Sequence, residues 1–236
     1  MIRFIRYLIF TLVFILIIGY LIAYLLADHI IEKAEKVLTR EFIAPYGPDE
    51  DDQYSYSVQL HIFPLTAEIT GLSIKGDALK VDEDVFEDCE LGVDRIVCEL
   101  IPLLEDGEVK IRSAEDMHFS GLLTCERLAR RLERTGKALS NLVVDKYGQK
   151  ARIRGKVGEV KAFDITVLGT WAIDDRGVIT LTNREYHNPD SPVPEGAIKI
   201  LEEQVSFDVR IHLLDEELKP EKVSFDSHGL WLSAHD

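Results

Sequence analysis

The densest chemistry in this 236-residue chain is a basic zone. Between Glu126 and Lys161 stand eleven Lys/Arg against four acidic residues, Glu126, Glu133, Asp145 and Glu159. Arg127, Arg130, Arg131 and Arg134 recur at helical spacing and share a helical face. Arg152, Arg154 and Lys156 share the outer face of a strand, opposite Ile153 and Val157. These seven cations are candidate contacts for phosphate headgroups, each contact worth about 1 kcal/mol near an anionic surface. The competing reading is a solvated face that pairs with acidic loops.

Catalytic and metal chemistry have weaker signals. No G-x-S-x-G, S-x-x-K, H-E-x-x-H, phosphate loop or G-x-G-x-x-G occurs. His228 lies two residues from Asp226 and seven from His235, a spacing that reads as a polar turn and tail. The acidic runs Asp49 to Asp52 and Asp82 to Asp84 read as solvated loops. No catalytic residue, metal ligand or cofactor is therefore assigned. Cys89, Cys98 and Cys125 form no C-x-x-C pair, and their odd number leaves at least one thiol unpaired within the chain. A Cys89–Cys98 disulfide and burial as small hydrophobes both remain open.

The elements that position these residues are mostly strands. Phe163, Ile165, Val167, Gly169, Trp171 and Ile173 alternate with mostly polar or small neighbours, and Val205, Phe207, Val209, Ile211 and Leu213 repeat the pattern. Shorter runs of the same kind are Val58 to Ile62, Leu142 to Tyr147, Ala151 to Val157 and Val178 to Glu185. Val223–Phe225 and Leu230–Leu232 read as a hairpin around His228-Gly229. Thr124 to Leu139 reads as a helix with Thr124 as N-cap, and Pro194 to Glu203 as a shorter one. Cys89 to Leu104 fits a helix or a strand. The predicted class is α+β: a long, curved, mainly antiparallel sheet with a few covering helices. Such a sheet, curling around its apolar face, encloses a filled core or a ligand groove, and periodicity does not separate the two. The groove candidates are Phe163, Ile165, Val167, Trp171, Val205, Phe207, Val209 and Ile211.

Arg3 and Arg6 precede an uncharged apolar run, Tyr7 to Ala27. At 1.5 Å per residue it spans about 31 Å, the thickness of a bilayer's hydrocarbon core. It is longer than the apolar region of a cleaved signal and ends in a poor cleavage site, so an uncleaved transmembrane anchor is predicted. The positive-inside rule then leaves the N-terminus in the cytoplasm and the remainder outside, a single-pass protein of the cytoplasmic membrane. The predicted divisions are 1–27, the anchor; 28–53, a juxtamembrane helix and acidic linker; and 54–236, a β-rich domain. Residues 28–236 hold 25 Lys+Arg against 42 Asp+Glu, a balance that argues against a nucleic-acid partner.

The order of features resembles the LmeA-like family of bacterial envelope phospholipid-binding proteins, long catalogued as a domain of unknown function. One stretch runs from Leu122-Leu123-Thr124-Cys125-Glu126-Arg127-Leu128 through Asn141-Leu142-Val143-Val144 to Ile153-Arg154-Gly155-Lys156-Val157. The others are the strand pair Ile165–Trp171 and Gly177–Leu181, and the C-terminal Val205–Val209, Leu218–Val223 and Gly229–Leu232. The likeness is one of pattern, and no functional residue is carried over from it. It implies an anchored or secreted domain with an apolar groove that binds phospholipid in envelope lipid homeostasis or lipid presentation, without catalysis. The alternative is an envelope interaction module with a filled core, whose partner is another membrane protein.

Overall fold

The computed structural model describes residues 13–15, 17–19, 31–32, 36–37, 39–44, 53–61, 66–81, 83–105, 108–158, 162–188, 192–213 and 216–236. The elements of its first half are β1 Gln53–His61, β2 Thr66–Val81, β3 Asp84–Glu99, helix α1 Leu100–Glu105, β4 Ile111–Thr124 and helix α2 Cys125–Thr135. There follow β5 Leu139–Tyr147, β6 Lys150–Val157, β7 Phe163–Ile173, β8 Val178–His187 and helix α3 Glu195–Gln204. Five short strands close the chain: β9 Ser206–Asp208, β10 Ile211–Leu213, β11 Glu216–Leu218, β12 Pro220–Phe225 and β13 Gly229–His235.

The expected α+β class with a transmembrane helix is corrected. Strands make up 63% of the structure, so the class is mainly β. The helices α1, α2 and α3 have 6, 11 and 10 residues. Among the described residues no helix is long and apolar enough to cross a membrane. The predicted anchor falls mostly outside the described residues, as does the acidic run Asp49 to Asp52.

Two antiparallel sheets carry the domain. One has the order β1-β2-β3-β4-β13-β12 and the other β5-β6-β7-β8-β9. The long hairpin β2–β3 is 16 residues on each side and turns between Val81 and Asp84. Its ambiguous sequence resolves as strand up to Glu99, with α1 beginning only at Leu100. Both Cys89 and Cys98 lie on β3, nine residues or about 30 Å apart along the strand. A disulfide needs Cα atoms within about 7 Å, so these two cannot pair, and none of the three cysteines is in a disulfide.

β7 occupies the predicted run Phe163–Ile173. The second long alternation does not form one strand. Val205 caps α3, β9 joins β8, and β10 pairs with β11 in a separate two-stranded sheet. Alternate residues are buried in both runs, save Phe163 and Ile173 at the ends of β7, because alternate burial needs only extended chain on a core and not a continuous ladder. One core cluster joins both sheets with Leu128 and Leu132 of α2 and Leu201 of α3. Phe42 belongs to it as well, so the π-helical turn Thr39–Ile43 packs on the domain.

Candidate functional site

Helix α2 follows β4 directly. Thr124 stands at its N-cap, but its hydroxyl makes no capping hydrogen bond; instead the Cys125 N–H donates to the carbonyl of His228 at 3.0 Å. Leu128 and Leu132 turn into the core. That leaves the arginines toward the β2–β3 turn and solvent. Arg131 Nη1 lies 3.1 Å from Glu83 and 3.5 Å from Asp84, and its Nη2 donates to the Asp208 carbonyl at 3.0 Å. Arg134 Nη2 donates to Asp84 Oδ1 at 3.0 Å and its Nη1 to the Glu83 carbonyl at 3.4 Å. Arg127 donates to Glu87 at 3.3 Å, and Arg130 pairs with Glu126 one turn back. The four helical arginines thus face four carboxylates. A recess of about 220 Å³ lies among Glu83, Asp84, Arg127 and Arg131.

This part of the zone is partly dry. The side chains of Arg131 and Asp84 are 11% and 10% exposed. Burial pushes the Asp84 carboxyl above its ordinary range, against the pull of Arg131 and Arg134. The Arg131 Nε is buried without a hydrogen-bond partner.

The strand cations lie on the outer face of β5 and β6. Arg152 donates to both oxygens of Asp145 at 2.8 and 2.7 Å, and Arg154 to Asp145 Oδ2 at 2.9 Å. The hydrogen bond from Arg152 leads the effects that hold the Asp145 carboxyl below the usual range. Two guanidinium groups share this carboxylate. Lys150 pairs with Glu185, and Lys156 makes no ion pair among the described residues.

The eight groove candidates have a common fate. Val167, Val205 and Ile211 are fully buried, and Ile165, Trp171, Phe207 and Val209 nearly so. Phe163 packs on the same cluster half-buried. Trp171 and Phe207 meet edge to face with ring centroids 5.8 Å apart. These residues are brought together, but by packing on one another within the core cluster that joins the two sheets. The Trp171 Nε1 and the Tyr186 hydroxyl are buried there without partners.

Other titratable groups serve local structure. Asp174 accepts the N–H groups of Arg176 and Val178 at 2.9 Å each, which holds its carboxyl low in the β7–β8 turn. Asp226 accepts from the backbone of His228 and Gly229 and from Trp231 Nε1, fixing the β12–β13 turn. Burial pushes the Cys98 thiol up to about 11 and raises that of Cys125, so neither is an activated nucleophile. Among the described residues no group of three or more His, Cys, Asp or Glu could hold a metal ion.

Sequence reasoning missed the surface around Val143, which is half exposed at the meeting point of two recesses. The signal available was an apolar residue out of phase with its strand, two residues after Asn141. Comparison with family models, with curated proteins and with solved structures finds no match to this chain.

Proposed function

We propose that the chain is a membrane-associated interaction module that acts by binding through its surface and carries no catalytic centre. The observation that supports it most is the filling of the sheet interior by the chain's own side chains. Val167, Val205 and Ile211 have no exposed surface for an acyl chain to meet. The displaced carboxyls at Asp145, Asp174 and Asp226 belong to ion pairs and turns, which fits binding better than acid–base chemistry.

Membrane association is supported by the described N-terminal helical residues. Val13, Phe14, Ile15, Ile17 and Ile18 are each 40 to 62% exposed. At 100° per residue they spread over about 200° of the axis, wider than the apolar stripe of an ordinary surface helix, and so broad an exposed apolar face is out of place in water.

The test uses the full chain in vesicles that contain a phospholipid with a photoreactive group at the end of one acyl chain. Labelled peptides are mapped by mass spectrometry. The expected labels fall in the N-terminal apolar run, with none on Phe163–Ile173 or Val205–Leu213. Labels on those two segments would establish an enclosed acyl chain and overturn the filled-core reading in favour of a phospholipid carrier.

A further inference from the structure

One row of residues crosses four strands of the first sheet. Ser73 of β2 pairs with Gly92 of β3, Gly92 with His118 of β4, and His118 with His235 of β13. Directly opposed residues project from the same face of a sheet, so the row shares one face. Its neighbours along the strands, Leu91, Val93, Met117, Phe119 and Ala234, are buried in the core, which leaves the row on the outer face. His118 is half-buried there and His235 is exposed. Their ring centroids stand 6.4 Å apart, with the planes inclined by 30°. The His118 ring leans over β3, where a Cβ added to Gly92 would lie 2.5 Å from both Cε1 and Nε2. The bare backbone of Gly92 is therefore what seats this ring.

The ring nitrogens have no work in the fold. Among the described residues neither His118 nor His235 makes a hydrogen bond or an ion pair. The Ser73 hydroxyl, beyond Gly92 in the same row, is buried and also without a partner. The next pair along β4 and β13 is Ser120 with Ser233. Three exposed carboxylates flank the histidines. Asp94 and Asp116 stand between the pairs Val93–Met117 and Arg95–Glu115, and Asp236 follows His235. Of the cations nearby, Arg95 is held by Glu68 and Glu115, Lys75 by Glu90, and Lys222 stands opposite Ser233.

We propose that His118 and His235 together bind a divalent transition ion such as Zn²⁺, with water completing its coordination. Neutral imidazole is a preferred ligand of zinc, copper and nickel, whereas magnesium and calcium prefer oxygen. Zn–N bonds of about 2.0–2.1 Å at a tetrahedral ion put two ring centroids about 5 Å apart. The observed separation is 6.4 Å, and rotation of the exposed His235 ring closes the difference. Two protein ligands make an open site, in keeping with the lack of any group of three or more among the described residues. The ion links β4 to β13 where the Asp236 N–H, donating to the Met117 carbonyl at 3.0 Å, already holds the two strands in register. The flanking carboxylates favour any cation, and the imidazoles select the transition ion. This site is independent of the interaction and filled-core readings.

The test uses the full chain in nanodiscs of uncharged phosphatidylcholine, titrated with ZnCl₂ and separately with MgCl₂. Imidazole nitrogen and backbone amide NMR are recorded together. The expected result is that Zn²⁺ moves the nitrogen shifts of His118 and His235 in parallel, with amide changes centred on β4 and β13, and that Mg²⁺ does neither. His118→Gln and His235→Gln should each raise the Kd for Zn²⁺ at this pair at least tenfold and leave the amide spectrum elsewhere unchanged. Saturating Zn²⁺ should raise the thermal midpoint of the unaltered chain and of neither variant. Should His118→Gln fail to fold, the exposed His235→Gln decides by itself. No imidazole response to Zn²⁺, a response only at other histidines such as His187 or His228, or indifference to the substitutions would overturn the proposal. An equal response to Mg²⁺ would also overturn it and give the ion to the carboxylates of Asp94, Asp116 and Asp236.

Discussion

On α2, Arg131 and Arg134 reach across to Glu83 and Asp84 at the tip of the β2–β3 hairpin. On β6, Arg152 and Arg154 close on Asp145 alone, and Lys156 has no ion pair among the described residues. Both regions come from one basic stretch of sequence. The difference lies in what faces them. The helical arginines meet a turn that supplies two adjacent carboxylates and a buried setting, so they tie α2 to the first sheet. The strand cations share the one carboxylate of Asp145 in a more exposed setting, so their ion pairs lie within the second sheet and tie nothing across to the first. Cation density in a sequence measures neither role; the carboxylates brought opposite decide it.

The largest effect should follow from opening the helical tie. Arg131→Met leaves Asp84 buried with a weaker partner and is expected to lower the unfolding free energy by about 3 kcal/mol, read from urea denaturation. A loss below about 1 kcal/mol would put both arginine groups in the same class and end the contrast. The double change Arg131→Met with Asp84→Leu removes the stranded charge along with its partner. It should recover at least half of that loss, since an apolar pair avoids the desolvation cost. Full additivity of the two single losses would mean that Asp84 and Arg131 are not coupled.

The strand side predicts a small number. Arg154→Gln is expected to cost about 0.5 kcal/mol or less, because its side chain is half exposed and Arg152 still holds Asp145. The smallest and sharpest test is the order of titration. Asp84 is shifted up by burial, whereas Asp145 is held down, led by the Arg152 hydrogen bond. On acidification Asp84 should take its proton above the ordinary aspartate value of about 3.9, and Asp145 below it, followed by carboxyl carbon NMR. The contribution of Asp145 to stability is present above its unfolded value and lost as pH falls through the folded one. The contribution of Asp84 has the opposite sign, present below its unfolded value and lost as pH rises through the folded one. A reversed order would mean that hydrogen bonds outweigh burial at the helical tie.

Much of the fold was legible because its signal is local. Strand β7 and the β12–β13 hairpin follow from alternation and turn residues, and α2 from the spacing of Leu128 and Leu132. The run Val205 to Ile211 was misleading for a physical reason. Its alternate residues are buried as expected, yet they belong to a helix cap and to strands of two different sheets. The class expectation of a curved antiparallel sheet with few helices departs at the transmembrane helix, since among the described residues no helix is long and apolar enough to cross a membrane. Helical stretches were read at full length, and α2 ends at Thr135, with Gly136 closing the turn through its N–H to the Leu132 carbonyl at 2.8 Å.

The basic zone itself was plain in the sequence, and its division was not. Arg131 and Arg134 are 48 and 50 residues from the carboxylates that hold them, a separation no local pattern reports. The filling of the groove candidates likewise depends on Phe207 of β9 meeting Trp171 of β7 and on β12 packing against β7.

By itself the sequence determined the period-two strands, the apolar N-terminal run, the acidic balance and the concentration of cations between residues 126 and 161. These are properties of neighbours along the chain, and side-chain alternation and charge are carried by neighbours. Only the tertiary structure decided which cations are tied down, that the sheet interior is full, and that Val143 faces outward. Each of these depends on which distant segment arrives opposite a residue, and that is set by the packing of two sheets around one core.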